Sequence, residues 1–230
     1  MAMPRQPIIA LDGPAGSGKS TVARLAAQRV GLQFISSGAM YRAVALLALR
    51  AGVAATDRSA LIALTDDLPL RFTTAADGDV RAWLGDEDVT EALRQPGVAQ
   101  IASIIAVIPE VRARLVRKQQ EYGSRGGIIM EGRDIQTVVF PHADIKIFLT
   151  AGAEERARRR WKEECARGEL CSYAEILADV QARDQRDAER EASPLRAAPD
   201  AVLVDTDGRT VAQVVDAVVQ LIRDHCQSEK

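Results

Sequence analysis

Asparagine is absent from this chain, and its absence removes any N-K-x-D motif of the kind that reads a guanine base. Avoidance of a thermolabile side chain, as in heat adaptation, and a compositional bias of the source toward Ala and Arg are two alternative origins of that absence, which composition alone does not separate. Histidine is nearly absent, since His142 and His225 are too few and too isolated for a His-based metal site. Cys165, Cys171 and Cys226 are an odd number without metal-ligand spacing and read as free thiols in a reducing compartment. No apolar run approaches the ~20 residues needed to span a bilayer, and segment 1–7 lacks the apolar stretch of a signal peptide. The expected compartment is the cytoplasm, with no membrane partner. Net charge is −2, which argues against a nucleic acid as the main partner, although the arginines are clustered. Aromatic residues make up only 4% against 47% hydrophobic, so the core is aliphatic. A chain of 230 residues is long for one compact domain and short for two, so one core with an inserted or appended lobe is expected, as a monomer.

What is present begins with Gly13-Pro14-Ala15-Gly16-Ser17-Gly18-Lys19-Ser20, which fits G-x-x-x-x-G-K-[ST] at every fixed position. An apolar run, Ile8-Ile9-Ala10-Leu11, leads in as a buried strand does. A helical pattern through Val22, Leu25, Ala26 and Val30 leads out and stops at Gly31. The glycines let backbone N–H groups turn toward phosphate oxygens, and the helix N-terminus adds positive potential. Lys19 is placed to reach β and γ phosphates, and Ser20 to complete a Mg²⁺ shell. The bland alternative, a Gly-rich strand-to-helix turn with a chance lysine, has to explain strand, loop and helix together. The motif predicts nucleoside triphosphate binding.

Strand and helix patterns alternate along the chain, which predicts a parallel sheet covered on both faces. A short strand, Gln33-Phe34-Ile35, precedes a polar turn, Ser36-Ser37-Gly38, and a long helix to Gly52. Helical spacing resumes over 59–68. Then the period changes to two: Leu70-Arg71-Phe72-Thr73-Thr74 and Val80-Arg81-Ala82-Trp83-Leu84 flank Asp77-Gly78, a hairpin signal. A further strand at Asp88-Val89 and a helix near Thr90 follow, and residues 66–106 read as an inserted lobe. Alternation returns with a helix from Pro109, the strand Ile128-Ile129-Met130 and the strand Ile145-Lys146-Ile147-Phe148-Leu149. A basic helix over 154–167 comes next. Ser172 with Glu175 is a capping box for a second charged helix to about 191. The strand Ala201-Val202-Leu203-Val204-Asp205 and a helix capped by Thr210 close the chain.

Four further features point to phosphate chemistry. Ser37 and Arg42 lie just beyond the second strand, on the side where ligands of open α/β sheets bind, although a capped helix with an exposed arginine has the same pattern. Glu131-Gly132-Arg133-Asp134 ends an apolar strand. There Glu131 could orient Mg²⁺ or its waters, Arg133 could grip a phosphate and Asp134 could accept hydrogen bonds; a turn with a local ion pair is the alternative. Arg156, Arg158, Arg159 and Arg160 crowd one helix start, and Arg183, Arg186, Asp187 and Arg190 recur at helical spacing on the next. Such patterns also suit solvated, salt-bridged faces. A loose-looking stretch at 168–172 between the two helices suits an arginine-bearing lid, which phosphoryl transfer needs to exclude water.

Together, IALDGPAGSGKST, SGAMYR, EGRDIQTVVFP and RDQRD resemble the bacterial cytidylate kinases, from about Ile8 to Ile222. The resemblance implies a three-layer α/β/α P-loop NTPase fold with a central parallel sheet, a β-rich nucleoside-monophosphate-binding insertion and a helical lid. Its core would be 7–65, 107–153 and 193–226, the insertion about 66–106 and the lid about 154–192. It implies phosphorylation of CMP and dCMP by ATP with Mg²⁺, small-molecule partners only. Ser37 and Arg42 match residues near the acceptor phosphate, and Ser103, Arg112 and Asp134 those around the cytosine ring. Arg133 and Arg190 match phosphate-binding arginines, and Arg183 and Asp187 residues near the ribose. Lys19, Arg133, Arg160, Arg183 and Arg190 form the expected catalytic set; Thr21 and Arg159 join the loop 13–20 in the ATP site. Two positions depart from the family pattern: Ser36 stands where Asp is common, and Gln136 where GRD-[IM]-G-T has Gly. A thymidylate- or shikimate-type kinase, a GTPase switch and a non-catalytic nucleotide-binding protein are the competing readings.

Overall fold

β1 (Ile8–Asp12) is buried along its whole length, as its unbroken apolar run requires of a strand covered on both faces. The computed structural model, which describes residues 6–75, 79–168 and 171–228, places β1 at the centre of a parallel sheet. β6 (Ile128–Gly132) pairs on one side, with Ile9 opposite Ile129, and β7 (Ile145–Thr150) on the other, with Leu11 opposite Ile147. β2 (Gln33–Ser36) lies outside β6 and β8 (Val202–Asp205) outside β7, giving the order β2-β6-β1-β7-β8. The connection after β1 runs to β2 at one edge and that after the neighbouring β6 runs the other way, to β7, so the loops at the carboxyl ends of β1 and β6 open a crevice.

Alternate residues of β1 feed the two faces, as a period of two dictates. Ile9 and Leu11 pack with Val22 and Ala26 of α1 (Lys19–Val30) and Val215 and Val218 of α8 (Val211–Ser228). Ile8 and Ala10 pack with Met40 and Val44 of α2 (Ser37–Arg50) and Leu115 of α5 (Pro109–Gly123).

Between α2 and α5 come α3 (Arg58–Asp66) and an antiparallel sheet of β3 (Leu70–Thr74), β4 (Val80–Leu84) and β5 (Glu87–Asp88), with Phe72 opposite Ala82. The expected Asp77-Gly78 turn lies outside the described residues. The helix expected near Thr90 begins instead at Pro96, as α4 (Pro96–Ile105), after a short 3-10 turn. Thr90 is occupied otherwise: its hydroxyl donates to Asp88 Oδ1 (2.6 Å) and accepts from Ala82 N (3.0 Å), finishing the sheet. Proline then supplies the preferred first helical residue. Phe72, Leu84, Leu93, Val98 and Ile105 belong to the same apolar cluster as Met40 and Val44. The interlude therefore extends the core over α2 and has no separate core of its own.

α6 (Ala153–Ala166) and α7 (Tyr173–Glu189) differ in this respect. They share a small cluster of their own, Ala157, Ile176 and Val180. The Ser172–Glu175 capping box is formed as expected. The stretch 168–172 includes residues 169 and 170, which lie outside the described residues. Among the described residues, no helix is long and apolar enough to cross a membrane.

Candidate active site

The phosphate loop is built where β1 meets α1. A Cβ on Gly13 would stand 2.0 Å from the Leu149 carbonyl oxygen, so only glycine lets the loop approach the end of β7. Gly18, left-handed at φ 85, caps α1 and makes Lys19 its first residue. Lys19 is buried and its Nζ donates to the Pro14 carbonyl (2.5 Å) and Ser17 Oγ (3.4 Å). Burial, with the nearby Arg133 charge, holds the ammonium well below its ordinary pKa, while Glu131 and Asp12 oppose the shift. Ser20 and Thr21 are exposed on the first turn of α1.

Asp12, absent from the sequence expectations, sits directly beneath this loop and is fully buried. Its carboxylate accepts from the backbone N–H groups of Ile135 (3.1 Å) and Gln136 (2.8 Å). Burial pushes its pKa up to about 7 against those two bonds. The sequence signal was available: an acid closing an unbroken apolar strand is costly unless something holds it.

At the ends of β2 and β6, no polar turn separates strand from helix. Ser36 ends β2 and N-caps α2, accepting from Ala39 N (3.3 Å), and Ser37 already begins the helix. Ser36 Oγ also donates to Glu131 Oε1 (2.5 Å). The Ser36 hydroxyl donates where an ionised aspartate could only accept, so the departure changes the hydrogen bonding of Glu131. Gly132 has no room for a side chain, since its Cβ would stand 2.5 Å from Ser37 Oγ. Arg133 Nε donates to Asp187 Oδ2 of α7 (2.8 Å). Arg112 and Asp134 form a buried ion pair, and Arg112 also donates to the Ala106 carbonyl (3.0 Å) and lies over the Tyr41 ring. Burial acts against the Arg112 charge, but Tyr41 and Asp134 prevail and raise its pKa. The Tyr41 hydroxyl, also missing from the sequence expectations, is buried near Arg112, and burial pushes its pKa up to about 12.

The arginines divide into two groups. Like Nε of the ion-paired Arg112, Arg42 Nε, Arg183 Nε and Arg190 Nη2 are buried donors without a partner among the described residues. Burial lowers the pKa of all three; that of Arg183 falls to about 10, with Arg133, Arg42 and Arg160 adding repulsion. On α6 the arginines are occupied. Arg156 is buried: it grips Asp184 of α7 at 2.9 and 2.5 Å and donates to the Ala15 carbonyl of the phosphate loop (3.0 Å). Arg158 is exposed and paired with Glu155. Arg159 donates to Glu155 and to the Thr206 hydroxyl and carbonyl (2.9 and 2.7 Å), and Arg160 pairs with Glu164. Arg186 is exposed on α7.

A cleft of about 710 Å³ joins these groups. Lys19, Ser20, Thr21, Arg159 and Arg160 line it together with Ser37, Arg42, Ser103, Arg112, Arg133, Asp134, Arg183, Asp187 and Arg190. Among the described residues no three His, Cys, Asp or Glu side chains gather as a metal cage. Ser20 is exposed and Glu131 is turned to Ser36, so the donor set fits a cation carried in on phosphate oxygens.

A phosphate loop on the central strand of a parallel sheet with helices on both faces, beside a cleft lined by arginines, places the molecule among the P-loop kinases. More narrowly, the chain belongs to the cytidylate kinase family, whose sequence model matches residues 9–224. It is 48% identical over 213 residues to a cytidylate kinase of Pelotomaculum thermopropionicum, covering 93% of this chain and 94% of that one. It is 47% identical over 221 residues to a bifunctional pantoate ligase/cytidylate kinase of Synechococcus sp., covering 95% of this chain but spanning only 41% of that protein. Among solved structures, an uncharacterized protein from Eubacterium ventriosum aligns with a TM-score of 0.52 at 14% identity, covering 96% of this chain and 99% of the other, a likeness of fold alone.

Proposed function

We propose that the protein transfers the γ-phosphoryl group of ATP to CMP and dCMP, giving ADP with CDP or dCDP. The observation that carries this reading is the set of buried, unpaired N–H donors on Arg42, Arg183 and Arg190, gathered in the cleft that also holds Lys19. Buried guanidinium groups that repel one another and keep unmet N–H donors suit an anionic occupant, and two phosphorylated nucleotides meeting head to head supply one.

In this reading the loop 13–20 cradles the ATP phosphates, with Thr21 and Arg159 completing that side. Ser20 would be the protein ligand of a Mg²⁺ ion carried in on the phosphates, and that ion would supply neutralisation of phosphate charge. Glu131, through its bond to Ser36, keeps the second strand's end in place beside the metal's surroundings. Arg42, Arg133 and Arg190 hold the acceptor phosphate close to Ser37. Its second ionisation lies near ~6, so its oxygen is already a nucleophile at neutral pH and no side-chain base is required. That oxygen bonds to the γ phosphorus as the bond to the β–γ bridging oxygen breaks, and ADP leaves. Lys19, Arg133, Arg160 and Arg183 spread the charge of this loose transition state. Asp134, held by Arg112, can accept from the exocyclic amine of cytosine, with Ser103 beside it. Asp187 and Arg183 face the ribose. Segment 66–106 serves the acceptor and 154–192 closes as a lid.

ADP release measured across CMP, dCMP, UMP, AMP and GMP tests the reading. CMP and dCMP should exceed the purine acceptors by ~10²-fold or more in kcat/KM, because a site built to pair one base edge leaves its polar groups unmet with another. No turnover with CMP overturns it.

A further inference from the structure

Gln136 sits in a π-helical turn, Ile135–Val139, directly after the loop that carries Arg133 and Asp134, and is 1% exposed. Its side chain is not idle. Nε2 donates to the Ile147 carbonyl in β7 (3.0 Å), and Oε1 accepts from the backbone N–H of Ala198 (2.9 Å). Its own N–H is held by Asp12 Oδ2 at 2.8 Å, so both the residue and its side chain are fixed to the central sheet.

Ala198 belongs to the segment by which the chain leaves α7 and returns to β8. That segment doubles back on the helix it has left. Ser193 adopts a left-handed conformation at φ 56, Leu195 N–H donates to the Asp187 carbonyl (2.7 Å), and Arg190 Nε donates to the Ser193 carbonyl (2.5 Å). Arg190 is thus braced by the very turn it precedes, with its Nη2 left unpaired in the cleft. A left-handed serine costs conformational energy and persists only where its surroundings over-determine it. The buried contact at Ala198 is the next point beyond Ser193 and Leu195 at which the segment is fastened to the sheet.

We propose that Gln136 is a positioning residue for the phosphoryl acceptor. By bolting the exit of α7 to the turn that follows Asp134, it sets the reach of Arg190 toward the acceptor phosphate. The inference rests on the kinase reading above for what Arg190 touches, but the bolt itself does not depend on that reading.

The test is a double-mutant cycle on the full chain, with Gln136→Met and Arg190→Ala, read as separate KM values for CMP and ATP. Gln136→Met should raise the KM for CMP about 10-fold and change that for ATP less than about 2-fold. In an Arg190→Ala background it should add little further loss, because its effect passes through Arg190. Equal rises for both substrates, multiplicative losses in the double variant, or no change at all would overturn the proposal. If methionine prevents folding, Gln136→Gly, the residue of the family pattern, leaves room for water at the two freed backbone groups and carries the same cycle. Hydrogen exchange supplies an arm independent of turnover: the amides of Leu195 and Ala198 should exchange at least ~10-fold faster in either variant, while those of β7 stay unchanged. Unchanged exchange overturns the bolt. A parent protein that fails to phosphorylate CMP but shows this exchange response overturns the kinase reading and leaves the bolt in place.

Discussion

On α6, Arg156, Arg158, Arg159 and Arg160 each reach a carboxylate: Asp184, Glu155, Glu155 again and Glu164. On and just beyond α7, Arg183 and Arg190 form no ion pair among the described residues, and each keeps a buried N–H unpartnered. Both helices are arginine-rich and both border the same cleft. Matched charge on α6 ties that helix to its neighbours, whereas Arg183 and Arg190 keep buried donors unmet, which the proposed function assigns to phosphate. Counting arginines cannot separate these two cases, and counting their partners does. The two inserted regions differ in a parallel way. Segment 66–106 shares the aliphatic core of α2, whereas α6 and α7 share a small buried cluster of their own and reach the sheet's loops through Arg156 and Arg159.

The contrast can be broken first at the largest expected effects. Lys19→Ala should lower kcat by about 10²-fold or more with the fold intact, and Arg183→Ala should fall within roughly 10- to 10²-fold. Near-normal kcat in well-folded Arg183→Ala would remove α7 from the chemistry. The matched arginine Arg156 should behave in the opposite way. Arg156→Ala leaves Asp184 and the Ala15 carbonyl without their donors, and a loss of about 3 kcal/mol in unfolding free energy is expected. Arg158→Ala, on an exposed pair, should stay within about 0.5 kcal/mol. Denaturant unfolding of the two variants side by side checks this, and equal losses would mean that burial does not distinguish them.

A smaller effect sharpens the picture beneath the phosphate loop. The Asp12 carboxyl ionises near 3.8 in the unfolded chain and near 7 in the folded one. Between about pH 4 and pH 7 the native state therefore holds the extra proton, so this group's contribution makes stability decline as pH rises through that window and level off above it. Asp12→Asn should lack that decline. The difference in Tm between parent and variant, followed from about pH 4 to pH 8, checks the sign; a difference independent of pH would place the Asp12 pKa near its ordinary value.

Much of this molecule was legible from the chain. The phosphate loop was, because its glycines, lysine and serine act within eight consecutive positions and need only a strand before and a helix after. The β3–β4 hairpin was, because a change of period from 3.6 to 2 is a local property. What escaped lay in pairings across long separations. Ser36 meets Glu131 95 positions away, and Gln136 meets Ala198 62 positions away. Arg156 reads as one more lid cation until the fold sets Asp184 against it. Composition and spacing thus determined which charges this protein carries and which elements bear them. Only the tertiary structure decided which of those charges are neutralised, because a partner is chosen by proximity in space, and burial then makes the difference between matched and unmatched charge large.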